Sequence, residues 1–167
     1  DSPLSVYEIA KDISEGLARV ACAGKINDKV VDLREVVDQD CELAILTAND
    51  KEGLATIRHT TSHVLAEAVK RLYPETKLAI GPSIDNGFYY DFDVEKPFTD
   101  EDKANIEAEM KKIIKEDIEI ERFSLPKKEA LELMKDQTYK QELINDLPDG
   151  EEISFYKQGD FTDLCAG

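Results

Sequence analysis

Basic residues are in short supply in this 167-residue chain: Lys and Arg total 21 against 37 Asp and Glu, and the formal net charge is -16. So acidic a balance excludes broad electrostatic capture of nucleic acid, which needs Lys and Arg to neutralise phosphates. Any role with nucleic acid has to use a local patch or affinity supplied by other domains. Long apolar runs are also missing, and none approaches the ~20 residues that span a bilayer; no membrane partner is expected. Cys22, Cys41 and Cys165 are an odd number and widely spaced. They offer no disulfide framework and predict a reducing, cytoplasmic setting. The first ten residues, DSPLSVYEIA, have neither the basic flank nor the long apolar stretch of a secretion signal, and they do not start with Met; a processed or excised segment is expected. Histidine is rarer still. His59 and His63 are the only two, both inside IRHTTSHVLAEAV.

What is present suffices for a core, since 41% of residues are hydrophobic. The length predicts one domain of ordinary size or two small ones. Ser5 to Glu8 has the form of a capping box, with Val6, Ile9, Ala10 and Ile13 on one helical face and Gly16 as the stop. Arg19–Ala23 and Gly24–Val31 read as two short strands around polar turns, and Cys41–Thr47 as a third. Residues 48–53 are polar and read as a joint. A helix is predicted from about Glu52 to Leu72, ended by Pro74. Residues 77–93, KLAIGPSIDNGFYYDFD, read as two strands around a turn, with Asn86-Gly87 demanding positive φ. Thr99 caps a further helix with Ile106, Met110, Ile113 and Ile114 as its apolar face. Then come a strand at Ile118–Phe123, a short helix after Pro126, helical turns over Tyr139–Asp146, and strands at Ile153–Tyr156 and Phe161–Leu164.

Residues four apart share a helix face. Two imidazoles so placed can bracket a polar substrate, share a metal, or simply sit at a surface. For a metal, Cys165 and Asp163 are the obvious further donors. Arg58 and the hydroxyls of Thr60, Thr61 and Ser62 make the segment more polar than a core helix requires.

Arg58 to Asp93, with the helix-borne HxxxH and IGPSIDNGFYYDF, then a long acidic helix and FTDLCAG, resembles the amino-terminal editing region of bacterial threonyl-tRNA synthetases. Residues 1–47 resemble the ubiquitin-like TGS domain that precedes it. The fold this implies is α+β. It comprises a small TGS unit over 1–47, incomplete at its start, a linker and helix start over 48–57, and an α+β editing domain over 58–167. That domain is expected to have a mixed or antiparallel sheet and a long helix. The family's pattern has an opening hairpin before the first helix and a Cys-x-Gly-Pro-His ending. Against it, the segment is expected to be truncated at both ends and to lack the aminoacylation domain.

The resemblance implies hydrolysis of seryl esters mistakenly attached to a threonine tRNA. Serine differs from threonine by one methyl, worth only ~1–3 kcal/mol of discrimination, so a second site is needed. Carried onto matching positions, the candidate catalytic residues are His59, Lys140, Asp163 and Cys165, with His63 and Tyr90 binding substrate. Lys140 would activate water or stabilise charge, His59 would position water or the ribose hydroxyl, and Asp163 would receive the substrate ammonium. Read without the family, Lys140 is a surface lysine, Asp163 caps a turn, and Tyr90 is core beside Phe88 and Phe92. Related alanyl-type editing domains resemble zinc sites, but no metal is expected here. ATP, Mg and Zn are expected only for the aminoacylation domain, and a homodimer only through other domains. Lys70, Arg71, Lys77, Lys127, Lys128 and Lys140 are candidates for a local path to the tRNA acceptor end; no DNA partner is expected. A non-catalytic RNA- or protein-docking module and a zinc-dependent small-molecule hydrolase are the competing readings.

Overall fold

The computed structural model describes residues 2–165. The chain forms two compact units, divided after Thr61, with Ser83–Phe88 belonging to the first.

In the first unit the chain runs β1 (Leu4–Ser5), α1 (Val6–Ile13), α2 (Glu15–Val20), β2 (Ala21–Ile26), β3 (Lys29–Val31), β4 (Val36–Val37) and β5 (Leu43–Thr47). β2 lies between β3 and β5, and β1 pairs with β4, all antiparallel. The capping box is formed at both ends: Ser5 Oγ accepts from Glu8 N at 3.2 Å, and the Glu8 carboxylate accepts from Ser5 N at 2.7 Å. Val6, wholly buried, lies on Gly24 of β2, where a Cβ would come within 2.7 Å of Val6 Cγ1. The expected stop at Gly16 is corrected. Ser14 ends α1 and caps α2 by accepting from Leu17 N, so Gly16 lies inside a second helix. That helix takes Arg19 and Val20 out of the expected strand. Asn27 and Asp28, both left-handed (φ 46° and 67°), make the reversal from β2 to β3.

α3 (Lys51–Leu72) starts immediately after a turn in which Asp50 Oδ2 accepts from Thr47 N at 2.7 Å. Gly53 has to be glycine, because a Cβ there would fall 2.0 Å from Thr47 O. Residues 77–93 give four two-residue strands, not two: β6 (Lys77–Leu78), β7 (Ser83–Ile84), β8 (Gly87–Phe88) and β9 (Phe92–Asp93). β7 pairs with β8 in the first unit, where Arg58 donates to Asp85 O at 2.7 Å. β6 pairs with β9 in the second. The turn is at Asp85-Asn86, one residue earlier than expected, and neither Asn86 nor Gly87 takes the left-handed backbone.

The second unit continues with α4 (Asp100–Glu116), β10 (Ile120–Leu125), α5 (Lys127–Leu133), α6 (Thr138–Asp146), β11 (Ile153–Gln158) and β12 (Phe161–Cys165). Thr99 caps α4 as expected, through a reciprocal bond with Asp102. Ile106 and Ile113 are buried against Val64, Ala68 and Val69 of α3, whereas Ile114 is turned outward by the next helical step and is exposed. Asp117, left-handed, closes α4 and delays the following strand to Ile120. β10, β11 and β12 form an antiparallel sheet in that order. Strand alternation gives the sheet two different faces. Ile153, Phe155 and Leu164 pack with Ala130, Met134 and Ile144 of the α5–α6 pair and its flank. Ser154, Tyr156, Gln158, Asp163 and Cys165 fall on the other face. The α+β class, the antiparallel sheet and the long helix are as expected.

Candidate functional site

His63 sits on α3, with its side chain 6% exposed. Its Nδ1 is 2.9 Å from Oδ2 of Asp163, on β12. Tyr90, between β8 and β9, donates its hydroxyl to the same Oδ2 at 2.7 Å. Lys140, on α6, donates to the Tyr90 oxygen at 2.9 Å. Its Nζ also lies 2.8 Å from Asp163 Oδ1, an ion pair whose alignment falls short of a hydrogen bond. Tyr156, the cross-strand neighbour of Asp163, has its ring 5.7 Å from that of His63.

Three side chains, from α3, α6 and the Tyr90 segment, therefore meet at one carboxylate on β12. Asp163 is 1% exposed. Burial alone would raise its pKa, but the His63 hydrogen bond and the Lys140 charge outweigh it and hold the carboxyl at about 2. An ionised carboxylate only accepts, so the imidazole nitrogen that faces it, Nδ1, carries a hydrogen. Burial, followed by the Asp163 charge, pushes the Tyr90 hydroxyl far above its usual range and keeps it a donor. Burying a Lys–Asp pair costs desolvation that hydrophobic packing would avoid; such pairs concentrate at sites with chemistry to perform. A cavity of about 330 Å³ reaches Lys140 and Asp163, lined also by Leu78, Met134, Gln137 and Phe161.

Lys140 is thus no surface lysine, Asp163 caps no turn, and Tyr90 is both core and hydrogen-bonded. Of the carboxylate expected to receive a substrate ammonium, Oδ2 is taken by His63 and Tyr90, and Oδ1 lies beside the Lys140 ammonium. Cys165 is buried, and burial pushes its thiol up to about 11; a thiol so held is a poor nucleophile at neutral pH. A ring nitrogen of His63 and Cys165 Sγ lie within 4.8 Å of each other. His59 is half-buried on α3 one turn before His63, in the first unit.

Most of the cations considered for a nucleic-acid path are engaged. Arg71 grips Glu67, Glu109 and Glu116. Lys127 donates to the carbonyls of Asn145 and Leu147 and to Asp149. Lys70 donates to those of Pro74 and Thr76, and Lys77 to that of Asp136. Lys128 is exposed.

The depressed pKa of Asp163 carries a pH prediction. A group whose folded pKa is lowered stabilises the fold above its ordinary value, and the contribution fades as pH falls through the folded value. For Asp163 the window runs from the ordinary 3.8 down to about 2, with roughly 2 kcal/mol at stake. Denaturant midpoints taken across that window should drop more steeply for the natural protein than for Asp163→Asn. Equal slopes would show that the carboxylate is not ionised in the fold.

The TGS domain family matches residues 2–47. The chain is 65% identical over all 167 residues to the threonine–tRNA ligase of Clostridium perfringens strain 13. The chain belongs to the threonine–tRNA ligase family. The ligase of Acetivibrio thermocellus is 62% identical over 98% of the chain, and that of Clostridioides difficile 60% over the whole of it. The chain spans 26% of the length of these ligases. Within this ligase segment, sequence reasoning missed Tyr156, Ser62, Gly81 and the buried Glu67, which accepts from Arg71 and from Gln158 of β11. The signal for Ser62 was visible as a hydroxyl in a helix interior; Tyr156 gave none beyond strand alternation.

Proposed function

We propose that the Asp163-centred group hydrolyses an aminoacyl ester on tRNA. The ester is a seryl group wrongly attached to a threonine tRNA by a longer protein that joins threonine to tRNA with ATP. The observation that carries this is the buried, ionised Asp163 holding the Nδ1–H of His63. In the neutral ring this arrangement puts the lone pair on Nε2, suited to take a proton from water. The water oxygen then bonds to the ester carbonyl carbon, and the charge that develops on the carbonyl oxygen is met by the remaining N–H of Lys140. Collapse breaks the bond to the ribose oxygen, which recovers the proton from Nε2, giving free serine and uncharged tRNA. Asp163 stays ionised throughout, as counter-charge to the imidazolium. Of the two roles expected for Lys140, this keeps charge stabilisation, and it gives His63, expected to bind substrate, the base role.

The test compares seryl-tRNA with threonyl-tRNA as substrates. The seryl ester should be cleaved selectively, and His63→Ala should slow that cleavage by about 10²–10⁴-fold. Equal cleavage of both esters, or a His63→Ala protein as fast as the natural one, overturns the reading. The strongly acidic chain and its engaged cations fit a module that receives the acceptor end from elsewhere better than one that docks RNA by itself.

A further inference from the structure

We propose that Ser62 and Gly81 are positioning residues that hold Tyr90 in place and, through Asp163, fix which nitrogen of His63 carries the proton. The catalytic half of this rests on the hydrolytic reading above; the proton placement does not.

Thr56 and Thr61, on the same helix, show what is unusual about Ser62. Thr56 and Thr61 turn back to carbonyls of their own helix, Glu52 O at 3.0 Å and Ile57 O at 2.7 Å. Ser62 is wholly buried, immediately before His63, and donates across to Gly81 O at 2.7 Å. Gly81 is the residue opposite Tyr90 in the irregular pairing that extends β6–β9. Asp91 N bonds to Ile80 O at 2.8 Å, and Tyr89 N reaches Pro82 O at 3.4 Å. A Cβ on residue 81 would stand 2.1 Å from Tyr90 Cδ2 and 2.6 Å from Cε2. The ring therefore lies directly on the bare Cα. Gly81 does not take the left-handed backbone, so glycine is required there for space and not for conformation. Phe92 covers the ring as well, with centroids 4.9 Å apart and planes 17° from parallel.

A ring held this way can move little along its own normal. Its hydroxyl sits where it accepts from Lys140 and donates to Asp163 Oδ2, the oxygen that faces His63 Nδ1. Displacing the ring removes a donor from that oxygen and a partner from Lys140. The carboxylate is then free to rotate, and its hold on Nδ1–H weakens.

The experiment measures deacylation kinetics on seryl-tRNA and the ring-nitrogen NMR signals of His63 in the same proteins. Ser62→Ala should lower kcat about tenfold, the loss of one neutral hydrogen bond, with KM little changed. It should also bring up signal from the Nε2-protonated form. Ser62→Cys, of similar volume and a weak donor, should fall between. Gly81→Ala should lower kcat about 10²-fold, the effect of an ångström-scale misplacement. Tyr90→Phe keeps the ring but removes the hydroxyl, and it should move both readouts the same way; it stands in should Gly81→Ala fail to fold. Folded Ser62→Ala and Tyr90→Phe proteins with natural kcat and an unchanged His63 spectrum overturn the proposal. If the natural protein cleaves neither ester, the hydrolytic reading falls, and the His63 spectrum alone decides the brace.

Discussion

Lys140→Ala should be among the most damaging single changes in this chain. It leaves Asp163 buried without its counter-charge, and breaking a buried pair from one side typically costs about 3–5 kcal/mol. Denaturant unfolding reads this directly. The double change Lys140→Met with Asp163→Asn removes both charges at once. It should be more stable than Lys140→Ala, because neither side is left uncompensated. It should nonetheless be inactive on seryl-tRNA, since the carboxylate that orients His63 and the cation beside it are both gone. A stability loss below about 1 kcal/mol for Lys140→Ala would mean that the pair behaves as a solvated one.

Phe155→Ala should be equally costly by a different route and with the opposite functional outcome. Phe155 is wholly buried on β11, its ring stacked on its cross-strand neighbour Phe123 at 5.4 Å, with Leu164 of β12 on its other side. Removing so large a ring from a packed core costs about 3–5 kcal/mol. Yet Phe155 and Leu164 face the α5–α6 side of the sheet, while Asp163 and Cys165 face the other. Per folded molecule, deacylation should therefore be close to natural in cool, denaturant-free conditions, while the unfolding midpoint drops sharply. A kcat that falls in step with stability would show that the two faces of the sheet are not independent.

These two residues also show what the sequence could and could not say. Phe155 lies in ISFYKQ, whose alternation already places Ile153 and Phe155 together, so the strand and its apolar side were readable. Lys140 lies in TYKQE, where nothing local distinguishes a buried lysine from a solvated one. Its burial comes from Tyr90 and Asp163, respectively 50 and 23 residues away in the chain, and a one-dimensional pattern does not carry such contacts. Resemblance supplied the candidates His63, Tyr90, Lys140 and Asp163, and the structure brings these four together. It did not supply their mutual roles, because Asp163 faces protein donors on both oxygens. Helix starts were legible wherever a side chain caps them, as at Ser5 and Thr99. α2 was missed because Ser14 serves as the end of one helix and the cap of the next. The Asp85-Asn86 reversal was misplaced by one residue because Asn-Gly is so strong a hairpin signal that it masked the pairing of Ile84 with Gly87.

The grip of Arg71 on three acidic groups, and of Lys127 on two main-chain oxygens and Asp149, bears on how this segment meets its surroundings. Positive charge that the formula counts as available is held by protein partners, so the net charge of -16 stands while few cations are left to meet a phosphate. Under the hydrolytic reading proposed above, free polynucleotides drifting past should be repelled, and a tRNA acceptor end would have to be delivered by another part of the longer protein.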